Sequence, residues 1–137
     1  MAVEVYLVFD GNCREAVEFY AEAFDTAPPQ IMTFGEAPSN PDYPVPDEAK
    51  DRVMHARLTI EGSNVMFSDT FPGSTIKSGN NITLAVLSSD IEKLKSAFHK
   101  LREGGSVEME LQETFWSKCY GKLTDKFGIG WQISHEE

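Results

Sequence analysis

Apolar and polar positions alternate along this chain in two rhythms, and those rhythms run through the same order twice. Val3 to Phe9 is a short apolar run rich in β-formers and predicts a strand. Asp10, Gly11 and Asn12 break it, and either Asp10 or Asn12 is placed to cap a helix beginning near Cys13. From Cys13 to Phe24, the residues Val17, Tyr20, Ala21 and Phe24 recur at helical spacing, with Arg14, Glu15, Glu18 and Glu22 elsewhere on the wheel. A strand is predicted at Gln30 to Phe34, after the Pro28-Pro29 pair. Gly35 to Asp51 holds Pro38, Pro41, Pro44 and Pro46 among acidic residues and reads as a long solvated loop. Arg52 to Ile60 then puts Met54, Ala56, Leu58 and Ile60 on one side and His55, Arg57 and Thr59 on the other, a strand with two unlike faces. Glu61 to Ser63 turns the chain into a strand at Asn64 to Ser68, and Asp69 to Gly79 is a second loop.

The order then restarts. Asn80 to Leu87 predicts a strand, and Asp90 to Leu101 an amphipathic helix with Leu94, Ala97, Phe98 and Leu101 on its apolar stripe. Gly104-Gly105 stops that helix. Val107 to Thr114 alternates again. The last stretch, Phe115 to Ile133, concentrates Trp116, Tyr120, Phe127 and Trp131. It predicts a hairpin of Lys118–Leu123 and Gly130–Ser134 about a turn at Asp125 to Gly128. A shift of 77 lays Val17 on Leu94, Leu7 on Leu84 and Phe9 on Val86. Towards the end of each half the shift becomes 66, laying Met66 on Gln132 and Ser68 on Ser134. The chain is therefore a βαβββ pattern used twice. This predicts an α+β fold in which two modules, about 1–70 and 80–137 of a single domain 1–137, form a curled mixed sheet. Helices cover its convex side, and the concave face is a natural small-molecule pocket.

Composition narrows the partners. Twelve basic against 22 acidic residues give a formal net charge of −10, a field that disfavours nucleic acid and anionic lipid. The first residues lack the basic and apolar regions of a secretory signal, and no run approaches the roughly 18 apolar residues of a membrane span. Cys13 and Cys119 stand in no metal or redox spacing, so two free thiols and a cytoplasmic location are expected.

With FDGNCREAVEFYAEAF at 9–24, Met32 to Gly35, DRVMHARLTI at 51–60, LREGGSVEMELQETFW at 101–116 and YGKLTDKFGIGWQI at 120–133, the chain resembles the PhnB-like branch of the vicinal-oxygen-chelate superfamily. That superfamily holds glyoxalase I, bleomycin-resistance proteins and extradiol dioxygenases. Members of the branch often carry a methyltransferase label. No Gly-rich loop follows the first strand here, and the chain is short for a methyltransferase domain, so that label is disfavoured. The resemblance implies one divalent metal held by the first and last strands of each module. Carried over by position, the candidates are Glu4 (or Tyr6), Met66, Asn81 and Gln132. Met66 and Asn81 suit zinc, nickel or iron(II) poorly, so no metal cofactor is expected. If a metal is present, Glu4, His55 and Gln132 are its expected ligands.

Alternation places Tyr6, His55, Arg57, Thr59, Ser68, Asn81, Thr83, Gln132 and Ser134 on the concave face. Trp116 is expected at the pocket border and Trp131 in the core. Asp125 is expected to serve its turn. The function expected is small-molecule binding without a conventional metal tetrad. Its alternatives are a metal-dependent lyase, isomerase or dioxygenase, and an interaction module whose concave face is filled by protein. A homodimer is expected, because superfamily members commonly pair modules across chains.

Overall fold

The predicted rhythm becomes a repeated element order. The structure, a computed structural model, describes every residue except Ser39 and Tyr43. The first half runs β1 (Val5–Phe9), α1 (Cys13–Ala23), β2 (Gln30–Thr33), β3 (Val53–Ile60) and β4 (Ser63–Asp69). The second runs β5 (Leu84–Ser88), α2 (Ile91–Leu101), β6 (Ser106–Gln112), β7 (Tyr120–Thr124) and β8 (Gly130–His135). This is the α+β class. Two compact units divide the chain: Met1–Ala21 with Thr26–Lys77, and Glu22–Asp25 with Ser78–Glu137. Each holds its own open four-stranded mixed sheet, ordered β1-β4-β3-β2 in the first and β5-β8-β7-β6 in the second. The βαβββ repeat is thus a repeat of topology.

In the first unit the stripe of α1 meets one face of its sheet. Val17 and Tyr20 are fully buried, and the Tyr20 ring stacks on Phe67 of β4 with centroids 6.0 Å apart. Phe9 of β1 lies on the same Phe67 at 6.4 Å. In the second unit Leu94, Ala97, Phe98 and Leu101 of α2 are buried. At Gly121 of β7 a side chain would not fit: an added Cβ would lie 2.7 Å from the Phe98 ring and 2.8 Å from Leu111. Trp131 is 2% exposed and packs against Phe24, centroids 5.2 Å apart. Burial of each such side chain is worth about 1.5–3 kcal/mol.

Several expected bounds move. The first strand starts at Val5 and the fifth at Leu84 rather than Asn80, because residues 80–83 have no ladder partners. Residues 113–119 lie outside strands, so β6 stops at Gln112 and β7 begins at Tyr120. The expected loop at 35–51 contains a 3-10 turn at Asp47–Ala49, whose Ala49 is buried. Its base is closed by the Gly35 N–H donating to the Lys50 carbonyl at 2.9 Å and by Phe34 N–H to Arg52 at 3.0 Å. Ser39 and Tyr43, within that loop, lie outside the described residues. β2 and β6, each at one edge of its sheet, are irregular. Register shifts between Met32 and Thr33 in β2, and twice between Val107 and Gln112 in β6.

The two parallel ladders fix how the halves correspond. Val5–Phe9 pairs with Val65–Asp69, and Leu84–Ser88 pairs with Trp131–His135, five residues against five in each case. Met66 therefore corresponds to Gln132 and Ser68 to Ser134, as the sequence suggested. Leu7, however, corresponds to Val86 and Phe9 to Ser88, two residues beyond the shift read from the helices.

Candidate functional site

Because side chains alternate along a strand, the face turned away from each helix is determined once Phe67 and Trp131 are placed. In the first unit that face carries Met66, with Tyr6 and Arg57 as its ladder partners, and Asn64, paired with Thr59. Ser68 follows two residues after Met66, opposite Val8. His55 pairs with Met32, and its ring lies 6.1 Å from that of Tyr6. Gln30, Met32, His55 and Arg57 line a shallow depression of about 320 Å³. The first-half residues singled out from sequence thus share one face.

In the second unit the face carries a connected polar chain. The Tyr120 hydroxyl donates to Gln132 Oε1 at 2.7 Å, and Gln132 Nε2 donates to Thr83 Oγ1 at 2.7 Å. Both ends of the Gln132 amide are engaged, so its orientation is set from two sides. Beside this chain lies a depression of about 560 Å³, within the range of small-molecule sites. Thr83, Lys122, Thr124, Glu108, Ser78 and Asn80 line it, together with Gly79, Gly128 and Gly130. Thr124 Oγ1 donates to Glu108 Oε1 at 2.7 Å.

Asn81 does not join this group. It sits before β5, exposed, and the ladder makes Thr83 rather than Asn81 the counterpart of Glu4. Ser134 is on the same face but turns to Ser117, with their Oγ atoms 3.1 Å apart. Ser117 in turn is bonded to the carbonyls of Cys119 and His135 at 3.0 and 3.1 Å. Trp116 is 55% exposed and packs edge-on against Tyr120 at 5.3 Å. It lines a separate depression of about 380 Å³ with Phe115, Thr114, Ser117, Lys118 and His135. Trp131 donates its indole N–H to Asp125 Oδ2 at 2.8 Å. The other Asp125 oxygen accepts the N–H groups of Phe127 and Ile129 at 2.8 and 3.1 Å, so this carboxylate holds the turn and the core indole together.

Sequence reasoning passed over Tyr120, Lys122 and Glu108 as site residues. The signal was present: Tyr120, Lys122 and Thr124 alternate with Gly121 and Leu123, as a strand with one packed and one open face should.

Both thiols are buried, and burial disfavours their thiolate forms. Burial, and then the Asp69 carboxylate, push the Cys13 thiol up to about 12, and burial raises Cys119 as well. At the superfamily's ligand positions a divalent metal finds few good donors. Glu4 is exposed and accepts a bond from the Asn64 amide, and Met66 offers only a soft thioether. Gln132 is engaged at both ends, and Thr83 is a neutral alcohol. Among the described residues no group of three His, Cys, Asp or Glu side chains comes together to hold an ion. No helix among them is long and apolar enough to cross a membrane.

Known proteins share both the sequence and the fold. A family model described as 3-demethylubiquinone-9 3-methyltransferase matches residues 2–134. Protein YjdN of Escherichia coli K12 is 35% identical, over 98% of this chain and 95% of its own length. Among solved structures, protein PA1353 from Pseudomonas aeruginosa is 33% identical with a TM-score of 0.84, covering 99% of this chain and 98% of its own. A Bacillus cereus PhnB protein, described as a putative 3-demethylubiquinone-9 3-methyltransferase, is 29% identical with a TM-score of 0.76, covering 99% and 100%. For the fold alone, a glyoxylase/bleomycin resistance protein/dioxygenase domain from Frankia superposes with a TM-score of 0.64 at 12% identity, covering 100% and 98%.

Proposed function

Because this chain belongs to the PhnB-like family and has the glyoxalase fold of the vicinal-oxygen-chelate superfamily, we propose that it binds a small molecule on the helix-averted face of its sheet, without a divalent metal. The observation that carries this reading is the Tyr120–Gln132–Thr83 chain beside the depression of about 560 Å³. A bonded row of polar side chains orients a ligand without first having to order itself. The metal-free part of the reading is supported by Met66, Thr83 and the doubly engaged Gln132, which suit zinc, nickel or iron(II) poorly.

We do not propose methyl transfer. The family description names it, yet a nucleotide-type cofactor in an α/β methyltransferase is received at the helix after the first strand. Here the start of α1 already holds the Asp69 carboxylate, which accepts the N–H groups of Gly11 and Cys13 at 2.8 and 3.0 Å. The protein is further proposed to act in the cytoplasm as a homodimer, without nucleic acid or membrane partners. Phe115, 97% exposed, is apolar surface that a second copy would cover.

The test is a fragment titration followed by amide NMR. Shifts clustered at Thr83, Lys122, Thr124 and Gly130 support the reading, and the absence of any shift there across a fragment set overturns it. Elemental analysis of protein purified without chelator should find no stoichiometric divalent ion. One ion per chain, lost on substituting Glu4, His55 or Gln132, would establish the metal-dependent lyase, isomerase or dioxygenase alternative. Light scattering should give twice the chain mass, and a monomer at micromolar concentration would refute the dimer.

A further inference from the structure

The two halves place a cation at the same position. Arg57 and Lys122 are the ladder partners of Met66 and Gln132, which correspond in the repeat. Both point away from the helix, and each lines its own unit's depression. Many of the other basic side chains are neutralised. Lys50 pairs with Asp47, Arg52 with Asp10, Lys95 with Glu92, Arg102 with Glu110 and Lys118 with Glu137. Neither the Arg57 nor the Lys122 side chain has an ion-pair or hydrogen-bond partner among the described residues. In a chain of net charge −10, carboxylates are abundant, and yet both cations at this repeat position stay open to a ligand.

We propose that the depression at Lys122 is a site for a small organic anion that also carries a hydroxyl or ammonium donor beside its carboxylate. The Lys122 ammonium takes the carboxylate, and Thr83 and Ser78 are hydroxyl donors along the same wall. Glu108 lines the depression too, with one oxygen held by Thr124 and no ion pair to Lys122. An acid and a base that face one depression without neutralising each other select a ligand that answers both. A bare anion meets the Glu108 charge, while a hydroxy acid or amino acid offers that oxygen a donor. Positive and negative groups arranged this way discriminate more than they tighten binding.

This inference rests on the binding site proposed above and specifies its ligand class. Its test is titration of the full chain with L-malate, succinate and glycerol, reading the amide signals of Lys122, Thr124, Gly128 and Gly130. L-malate should move them, succinate should bind more weakly, and glycerol should leave them in place. Lys122→Gln should weaken L-malate binding at least 10-fold while its dispersed spectrum shows the fold intact. Lys95→Gln, at an exposed lysine of α2 already paired with Glu92, serves as the matched charge control and should leave these signals' response unchanged. If Lys122→Gln binds L-malate as before, or the acids move nothing, the anion assignment is wrong. A neutral fragment that still moves the same amides would then preserve the binding site and discard only the ligand class. No movement with any fragment would remove both.

Discussion

The two helices occupy the same place in the repeat, yet their N-termini are held by different means. α2 is capped by its own neighbour: Asp90 Oδ1 accepts the Lys93 N–H at 3.1 Å, the arrangement expected of an N-cap aspartate. α1 is held from the far end of its module. Asp69, the last residue of β4 and 5% exposed, accepts the N–H groups of Gly11 and Cys13, and its other oxygen accepts that of Val53 at 2.9 Å. One carboxylate thus joins the start of a helix, the start of β3 and the end of β4. The expected caps are not used: Asp10 accepts instead from Arg52 Nη1 at 2.8 Å, and the Asn12 backbone carbonyl serves the first helical turn. At the position matching Asp69 the second unit has His135, which is why α2 needs a cap of its own. Equal topology does not require equal fastening.

That contrast is open to direct attack. Asp69→Ala should be the most damaging change, because it strands three N–H groups, two in buried bonds. At about 1–3 kcal/mol for each donor left unsatisfied, a loss on the order of 5 kcal/mol is expected in denaturant melts. A loss below about 1 kcal/mol would mean that water replaces the carboxylate and the fastening is unimportant. In the second unit the corresponding weight rests on packing. Trp131→Ala should cost about 4 kcal/mol, as large core truncations do, and it also deprives Asp125 of the indole N–H. Asp90→Ala removes one exposed cap and should cost about 1 kcal/mol by the same melts. Were it to equal Asp69→Ala, the two helices would be fastened alike in energy if not in geometry. Trp116→Phe should change stability least, by less than about 0.5 kcal/mol, since the side chain is more than half exposed. Its effect should fall on ligand titrations through the ring contact with Tyr120. Severe unfolding with unchanged binding would reverse that assignment.

Legibility in the sequence divides along the same line, between local and distant bonds. Period-two alternation assigned Arg57, Thr59, Ser68 and Gln132 to one side of their strands, because in a sheet with one packed face that parity is enforced at every residue. The helix stripes were legible for the same reason, and the cap at Asp90, which was not read, involves residues only three apart. The Asp69 fastening was not legible, since nothing local marks bonds that span 56 and 58 positions. The offset that brings Thr83 rather than Asn81 beside Gln132 was hidden by residues 80–83, whose composition suits a strand but which pair with nothing in a ladder. Tyr120 and Lys122 were legible in principle. The hairpin is conspicuous for its aromatic content, while the alternation within it carries the information about the site.

The irregular outer strands have a consequence for how copies of this chain meet. A straight edge strand is a template for further pairing, and sheets with such edges are prone to grow by accretion. β2 has four residues, comes just after two prolines and slips register at Met32. β6 slips twice and sets Glu108 and Glu110 along its length. A copy seeking to extend either sheet from these edges would find amide groups out of step. Crowding at high concentration should therefore leave these strands unextended, and fibre growth through them is disfavoured by geometry built into the native fold.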